Sequence, residues 1–198
     1  MKELDARGLQ CPKPLMMAKK ELDAGCYTLV VKVSNEAAVS NLSHLAKRFG
    51  RSFSSEQQQD YWDVIIGGLP EGATPEESVP CECLVKEPYA VFVGKDHVGE
   101  GDETLGKSLM KMALYTLSES DNPPAHLLFM NSGVKLVAGG EQAVVDSVSS
   151  LVAQGTEVLV CGTCLDYYGL KDQLAVGEVS NMYDILGRMQ ESSKTITL

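Results

Sequence analysis

Residues 4–22 read LDARGLQCPKPLMMAKKEL, and the strand, turn and helix packed into that stretch set the rest of the chain's reading. A short strand over residues 2–6 runs into a turn at Gly8, and the tetrapeptide Cys-Pro-Lys-Pro then opens a helix over residues 12–23. Pro12 suits the first helical position, where its missing N–H costs nothing and its fixed φ is already helical. Leu15, Ala18 and Leu22 share one face, and Gly25 lies beyond the end. On this reading Cys11 is the N-cap, its sulfur facing the N–H groups of the first turn, where the helix dipole places about half a positive charge. Lys13, Lys19 and Lys20 lie on or near the same helix. Each of these features favours thiolate over thiol and makes Cys11 a candidate nucleophile near neutral pH. The plainer alternative is a small residue at a helix start, with the prolines as punctuation.

Working outward, Tyr27, Leu29, Val31 and Val33 alternate with Thr28, Val30 and Lys32 in a strand period. A second helix spans residues 35–49, with a stripe of Ala38, Leu42, Leu45, Ala46 and Phe49 and a stop at Gly50. Strands at residues 51–58 and 61–66 complete a βαβαββ order, which packs two helices on one face of a sheet as a two-layer sandwich. Beyond it the composition changes. Residues 1–70 carry nine basic and eight acidic side chains, residues 71–87 one and five, and residues 88–198 seven and fourteen. The middle stretch holds Pro75 and Pro80, with Pro88 just beyond it, and has no sustained apolar period. It reads as an acidic linker, residues 70–87, between domains at 1–69 and 88–198.

The second half alternates strand and helix: strands at residues 89–93, 126–130, 156–161 and 195–198, and helices at 104–117, 141–153 and 181–190. The first helix shows a stripe of Leu105, Leu109, Met112, Ala113 and Thr116. This order implies an α/β domain with a mostly parallel sheet, helices on both faces, and chemistry at the carboxyl ends of its strands.

Across all 198 residues the net charge is −10, which disfavours binding to phosphate backbones, so no nucleic acid partner is expected. The longest apolar runs are far too short to span a bilayer, and no apolar stretch follows Lys2, so neither a membrane partner nor a signal peptide is expected. A cytoplasmic, reducing setting leaves Cys11, Cys26, Cys81, Cys83, Cys161 and Cys164 as thiols, pointing to reactivity, metal or packing. Cys26 at a strand start reads as packing. Cys161 and Cys164 form CGTC at the end of the strand TEVLV, and three readings stay open. A thioredoxin-like dithiol fits the strand context, but no proline follows Pro124 to face it. A zinc site would join the pair to Cys81 and Cys83, across an unusually tight Cys-x-Cys gap. The third reading is a sulfur-accepting cysteine at the sheet's carboxyl edge.

Two resemblances bear on these readings. LDARGLQCPKPLMMAKKEL resembles the TusA/SirA signature LDxxGLxCPxP with a trailing Leu, matched at Leu4, Asp5, Gly8, Leu9, Cys11, Pro12, Pro14 and Leu22. That resemblance implies a carrier whose Cys11 holds a persulfide and passes its terminal sulfur to a partner. Ser34-Asn35-Glu36 departs from the acidic Asp-Asp-Pro turn of many such carriers. GTEVLVCGTCLDYYGL resembles the DsrE/DsrF-like family, which implies Cys161 as the active position, Cys164 as an addition and a homo-oligomer through the C-terminal domain. The two domains in this order are similar to the sulfurtransferase-like selenium metabolism family. The resemblance implies movement of a persulfide or selenosulfide between cysteine thiols, among donor and acceptor proteins. Thiolate attack on a persulfide needs no metal and no organic cofactor.

Other features take plainer readings. GDETLGKS, residues 101–108, matches the phosphate-loop pattern, but Asp102 and Glu103 would aim carboxylates at the phosphates; a capped helix start with a packing glycine competes with it. His44, His97 and His126 share no ligand spacing, although His97 falls near the expected reactive edge. The methionines read as packing. A rival class is a non-catalytic adaptor that binds relay partners. Finally, the near-neutral first domain and acidic remainder predict salt-sensitive docking of the lysines beside Cys11.

Overall fold

Leu29, Val31 and Val33 are fully buried alternate residues of one strand, and the first half of the chain is built over them. The computed structural model describes residues 1–68 and 87–198, which fall into two compact units. Cys81, Cys83 and nearly all of the expected linker therefore lie outside the described residues.

The first unit contains β1 (Lys2–Asp5), α1 (Lys13–Asp23), β2 (Leu29–Val33), α2 (Glu36–Arg48), β3 (Phe53–Gln57) and β4 (Trp62–Ile66). Its sheet runs β1-β2-β4-β3, with β1 parallel to β2 and the other pairings antiparallel. A parallel neighbour demands a crossover, and α1 supplies it. Ala18 and Leu22 of α1 and Val39, Leu42, Leu45 and Ala46 of α2 pack on Leu29, Val31, Val33, Val64 and Ile66. This is the expected two-layer sandwich. Tyr27, expected to begin the second strand's buried face, is instead 69% exposed and precedes β2.

The second unit contains β5 (Ala90–Val93), α3 (Glu103–Ser118), β6 (His126–Phe129), α4 (Gln142–Ala153), β7 (Glu157–Cys161), α5 (Gly162–Tyr168), β8 (Glu178–Ser180), α6 (Met182–Glu191) and β9 (Thr195–Thr197). Its sheet, ordered β8-β7-β6-β5-β9, is parallel throughout. Alternate strand residues face opposite sides. Val91, Val93, Leu127, Phe129, Val158 and Val160 meet Met110 and Leu114 of α3 and Val144, Val148 and Leu151 of α4. Ala90, Leu128, Leu159 and Cys161 face the other way and close on Ile185 of α6. Helices thus cover both faces, as expected.

One expected stripe is corrected. The buried residues of α3 are Gly106, Met110, Leu114 and Ser118, whereas Leu105 is 59% and Leu109 37% exposed. The cause is Gly106: a Cβ there would lie 2.9 Å from the Val98 carbonyl oxygen and 3.1 Å from His97 Cβ. That close approach fixes the helix's rotation about one residue away from the apolar count. The phosphate-loop reading falls with it. Asp102 caps α3 by accepting the Leu105 N–H at 2.8 Å, so residues 104–108 are helix, and Lys107 pairs with Glu103.

Candidate functional site

In the first unit, the segment between β1 and α1 is held at both ends. The Ala6 N–H reaches the Lys32 carbonyl at 2.9 Å, keeping the chain beside β2. Asp5 accepts from the Arg7 backbone N–H at 3.1 Å and from its guanidinium at 2.6 and 2.8 Å, which holds the carboxyl's pKa down at about 2. Gly8, at φ +74°, donates its N–H to Ser34 Oγ at 2.8 Å. The departure at 34–36 thus has structural roles: Ser34 anchors this loop, and Asn35 caps α2 by accepting the Ala38 N–H at 2.8 Å.

The placement of Cys11 corrects the expectation. Pro12, joined to Cys11 by a cis bond, is the cap of α1, and the helix begins at Lys13. Cys11 therefore sits one residue before the cap, and prolines at 12 and 14 remove two of the backbone donors that a first turn ordinarily presents. Of the three lysines, Lys19 pairs with Asp23 and Lys20 stands in the last turn; Lys13 is the one at the helix start. Cys11 is exposed, and its described polar contact comes from the neighbouring helix: Asn41 Nδ2 lies 3.7 Å from Sγ. Between α1 and α2 a groove of about 280 Å³ is lined by Leu9, Cys11, Pro12, Pro14 and Leu15 on one side and Asn35, Ala37, Ala38 and Asn41 on the other. The alanines keep it open. The result is an accessible sulfur at an apolar cleft with a side-chain amide beside it.

In the second unit, the functional candidates gather at the carboxyl ends of β5, β6 and β7. Cys161 ends β7, is 4% exposed and lies against Ala90, Leu128, Leu159 and Ile185. Cys164 is less buried, sits within α5 and packs against the cores on both sides of the sheet. Gly162 lies between them, where a Cβ would meet Val179 at 3.0 Å, so the glycine of CGTC lets α5 start close beside β8. Gly169 ends α5 at φ +66°, with the Leu170 N–H returning to the Leu165 carbonyl at 2.9 Å.

The residue facing Cys164 is Asn131, just after β6. Its N–H donates to Cys164 Sγ at 3.1 Å, and its Oδ1 accepts from the Tyr168 hydroxyl at 3.0 Å. Asn131 holds φ +48°, a left-handed conformation that asparagine tolerates better than most residues. Lys135 lies over the Tyr168 ring at 4.3 Å. Next to Asn131, Ser132 Oγ accepts the Asp96 N–H at 3.2 Å and donates to Asp96 Oδ1 at 3.4 Å, while His97 Nδ1 lies 2.9 Å from the same oxygen. The three β-strand ends are thereby laced together. Burial pushes the Cys164 thiol above the ordinary range and its contact with Cys161 adds to this, whereas the Asn131 N–H acts in the opposite direction.

Cys161 and Cys164 thus come together, as their spacing requires, each with a free thiol. Asn41, Asn131, Ser132 and Tyr168 were not singled out from sequence; their one advance signal was position, after a strand end or on the α2 face opposite Cys11. His126 is drawn into a structural cluster, its Nδ1 2.8 Å from Glu157, which also takes Arg188 at 2.6 and 3.1 Å. Cys26 donates to the Thr28 carbonyl at 3.3 Å and packs on the first core, as expected. Among the described residues, no group of three or more His, Cys, Asp or Glu side chains could hold a metal ion, and no helix is long and apolar enough to cross a membrane.

Residues 2–68 match the family model described as Sulfurtransferase TusA, and residues 96–198 match that of the DsrE/DsrF-like family. Among solved structures, a SirA-like protein from Desulfitobacterium hafniense is 28% identical, with a TM-score of 0.34, over 35% of this chain and 100% of its own. The ychN protein from E. coli is 20% identical, with a TM-score of 0.45, over 56% of this chain and 99% of its own. No curated protein matches the chain.

Proposed function

From the premise that this chain belongs to the DsrE/DsrF-like family and carries a sulfurtransferase TusA domain ahead of it, we propose that it is a two-site relay for sulfane sulfur or its selenium counterpart. Both families are related to sulfur relay, which supports a carrier role. In the finer reading Cys11 carries the persulfide or selenosulfide, and Cys161 and Cys164 receive the terminal atom. The donor and acceptor are proteins of a reducing, cytoplasmic compartment, where these thiols remain available.

The observation that carries the proposal is Cys11 itself: exposed, at the rim of an apolar groove, with Asn41 directed at its sulfur. A persulfide needs access for the incoming thiolate and little else, because transfer is nucleophilic displacement at sulfur. The groove offers an apolar seat for a partner's loop, and the Asn41 amide offers a donor to the sulfur that leaves as thiolate. Cysteine desulfurase and cysteine should add about 32 Da to the full chain, the mass of one sulfur in a persulfide. That adduct should map to Cys11 and vanish in Cys11→Ala; a wild-type chain with no adduct on any cysteine would overturn the proposal. Repeating the loading with the desulfurase and selenocysteine, which delivers selenium at the same oxidation level as a persulfide's outer sulfur, distinguishes the two chalcogens.

A further inference from the structure

A sulfur acceptor needs one thiol, yet the second unit holds two in contact. Cys161 closes β7 and Cys164 follows three positions later in α5, a spacing that puts both side chains on the same side of the turn. Both pack against the cluster of Ala90, Leu128, Leu159 and Ile185. Their surroundings differ. Cys164 is the more accessible and receives the Asn131 N–H at 3.1 Å, whereas Cys161 is 4% exposed and lies behind it. Among the described residues of the second unit, the free thiols are these two.

We propose that Cys164 is the entry thiol and Cys161 the resolving thiol. Cys164 takes the terminal sulfur or selenium atom as a persulfide or selenosulfide, and Cys161 then attacks the Cys164 sulfur and expels hydrogen sulfide or hydrogen selenide. The inference rests on the reading that the second unit receives the relayed atom, and it goes further: the atom leaves reduced. In the resolving step the bond between Cys164 Sγ and the outer atom breaks, and a Cys161–Cys164 disulfide forms. The outer atom departs with the bonding pair and the proton that Cys161 gives up. Across loading and release together the sulfane atom gains two electrons, one from each cysteine sulfur, so the sequence balances without an outside oxidant. A dithiol reductant then returns the pair to thiols for another turnover.

The geometry supports each part. The Asn131 N–H is fixed on the Cys164 sulfur by a backbone at φ +48° and a side chain held by Tyr168, so it remains directed at that sulfur through loading and release. Burial of Cys161 keeps outside thiols from it while leaving it against its neighbour. Cys-x-x-Cys pairs close into disulfides readily.

The test uses the full chain, reduced and freed of reductant, loaded either by desulfurase and cysteine or directly by glutathione persulfide. The expected result is one equivalent of sulfide per Cys161–Cys164 disulfide, mapped by peptide mass. Cys161→Ala should accumulate the persulfide on Cys164 and release sulfide roughly tenfold more slowly, as loss of an intramolecular thiol implies. Sulfide release by the wild type without that disulfide overturns the inference whatever the variants do, and so does a wild-type rate in Cys161→Ala. The direct donor separates the two readings. If Cys11→Ala still yields sulfide and disulfide from glutathione persulfide while wild-type Cys11 never loads, the inference stands and the relay fails. If Cys11 loads but no disulfide forms with either donor, the relay stands and the inference fails.

Discussion

Asn41 and Asn131 make the same kind of contribution in two unrelated settings: each directs an N–H at a cysteine sulfur, one from a side chain and one from the backbone. Removing the Asn41 amide should cost about 0.5–1 kcal/mol of interaction with an anionic sulfur, or a roughly two- to fivefold slower alkylation of Cys11 by iodoacetamide at neutral pH. An unchanged rate in Asn41→Ala would remove Asn41 from the site. At Asn131 the backbone is the working group. Asn131→Gly preserves both the N–H and the left-handed φ and should retain loading of Cys164, whereas Asn131→Val should lose it, because a β-branched residue resists that φ. The pH dependence follows from burial. Because the Cys164 thiol is raised, its thiolate is scarce at neutral pH, and the fraction grows as pH rises through the folded-state value. Alkylation of Cys164 should therefore keep climbing above about pH 8.5, the ordinary thiol value. A plateau below that pH would contradict the assignment.

At the scale of elements, the two cysteine motifs were legible because each carries its own punctuation: prolines and a glycine around Cys11, a strand run and a Gly-ended helix around Cys161 and Cys164. What sequence could not supply was the contact made by a remote element. The stripe of Leu105, Leu109, Met112 and Thr116 is a sound apolar count, but the approach of Gly106 to Val98 and His97 outweighs it. Likewise β8 is a three-residue edge strand of mostly exposed residues, with no alternation to read. The 3-10 turn Asn131–Leu136 depends on Gly133, where a Cβ would fall 2.3 Å from the Val93 carbonyl. Helix α3 gives a direct test. Alanine is the better helix former by about 1 kcal/mol, so propensity alone predicts that Gly106→Ala stabilises. The crowding predicts the reverse, a loss of about 1–2 kcal/mol and a melting temperature lower by several degrees. Magnesium ATP should leave the wild-type melting curve unmoved; a clear shift would restore the phosphate-loop reading.

The same scale contains the link between α6 and the sheet. Glu157 is held below the ordinary glutamate range first by its hydrogen bond from Arg188 and then, against a burial penalty, by that from His126. A depressed carboxyl contributes stability that is fully present above its unfolded value, about 4.3, and is lost as pH falls through the lower folded one. Arg188→Ala should lower stability at neutral pH and flatten the fall in stability below pH 5, because it removes the cation that holds the Glu157 carboxyl down. Melting curves of both chains across that window provide the check.

At the scale of the whole molecule, charge is divided unevenly: the first 70 residues balance at +1, while residues 88–198 carry −7 and the segment between them −4. Within the first unit several cations are already committed: Arg7 to Asp5, Lys2 to Glu21 and Lys19 to Asp23. The field that Cys11 offers a partner is therefore weaker than the lysine count implies. Even so, a carrier at +1 meeting an acceptor at −7 is weakly attracted to it, and that attraction assists their encounter. Exposed charges more than about 8 Å apart are largely screened at physiological salt, so this contribution is a low-salt effect on rate. Transfer from loaded Cys11 to Cys164 in the full chain should slow a few-fold as ionic strength rises from about 20 to 500 mM, while Cys11 loading by a neutral small-molecule persulfide stays level. Transfer that is indifferent to salt would assign recognition to the apolar groove beside Cys11 alone, and Leu15→Asp at its wall would then be the substitution that stops it.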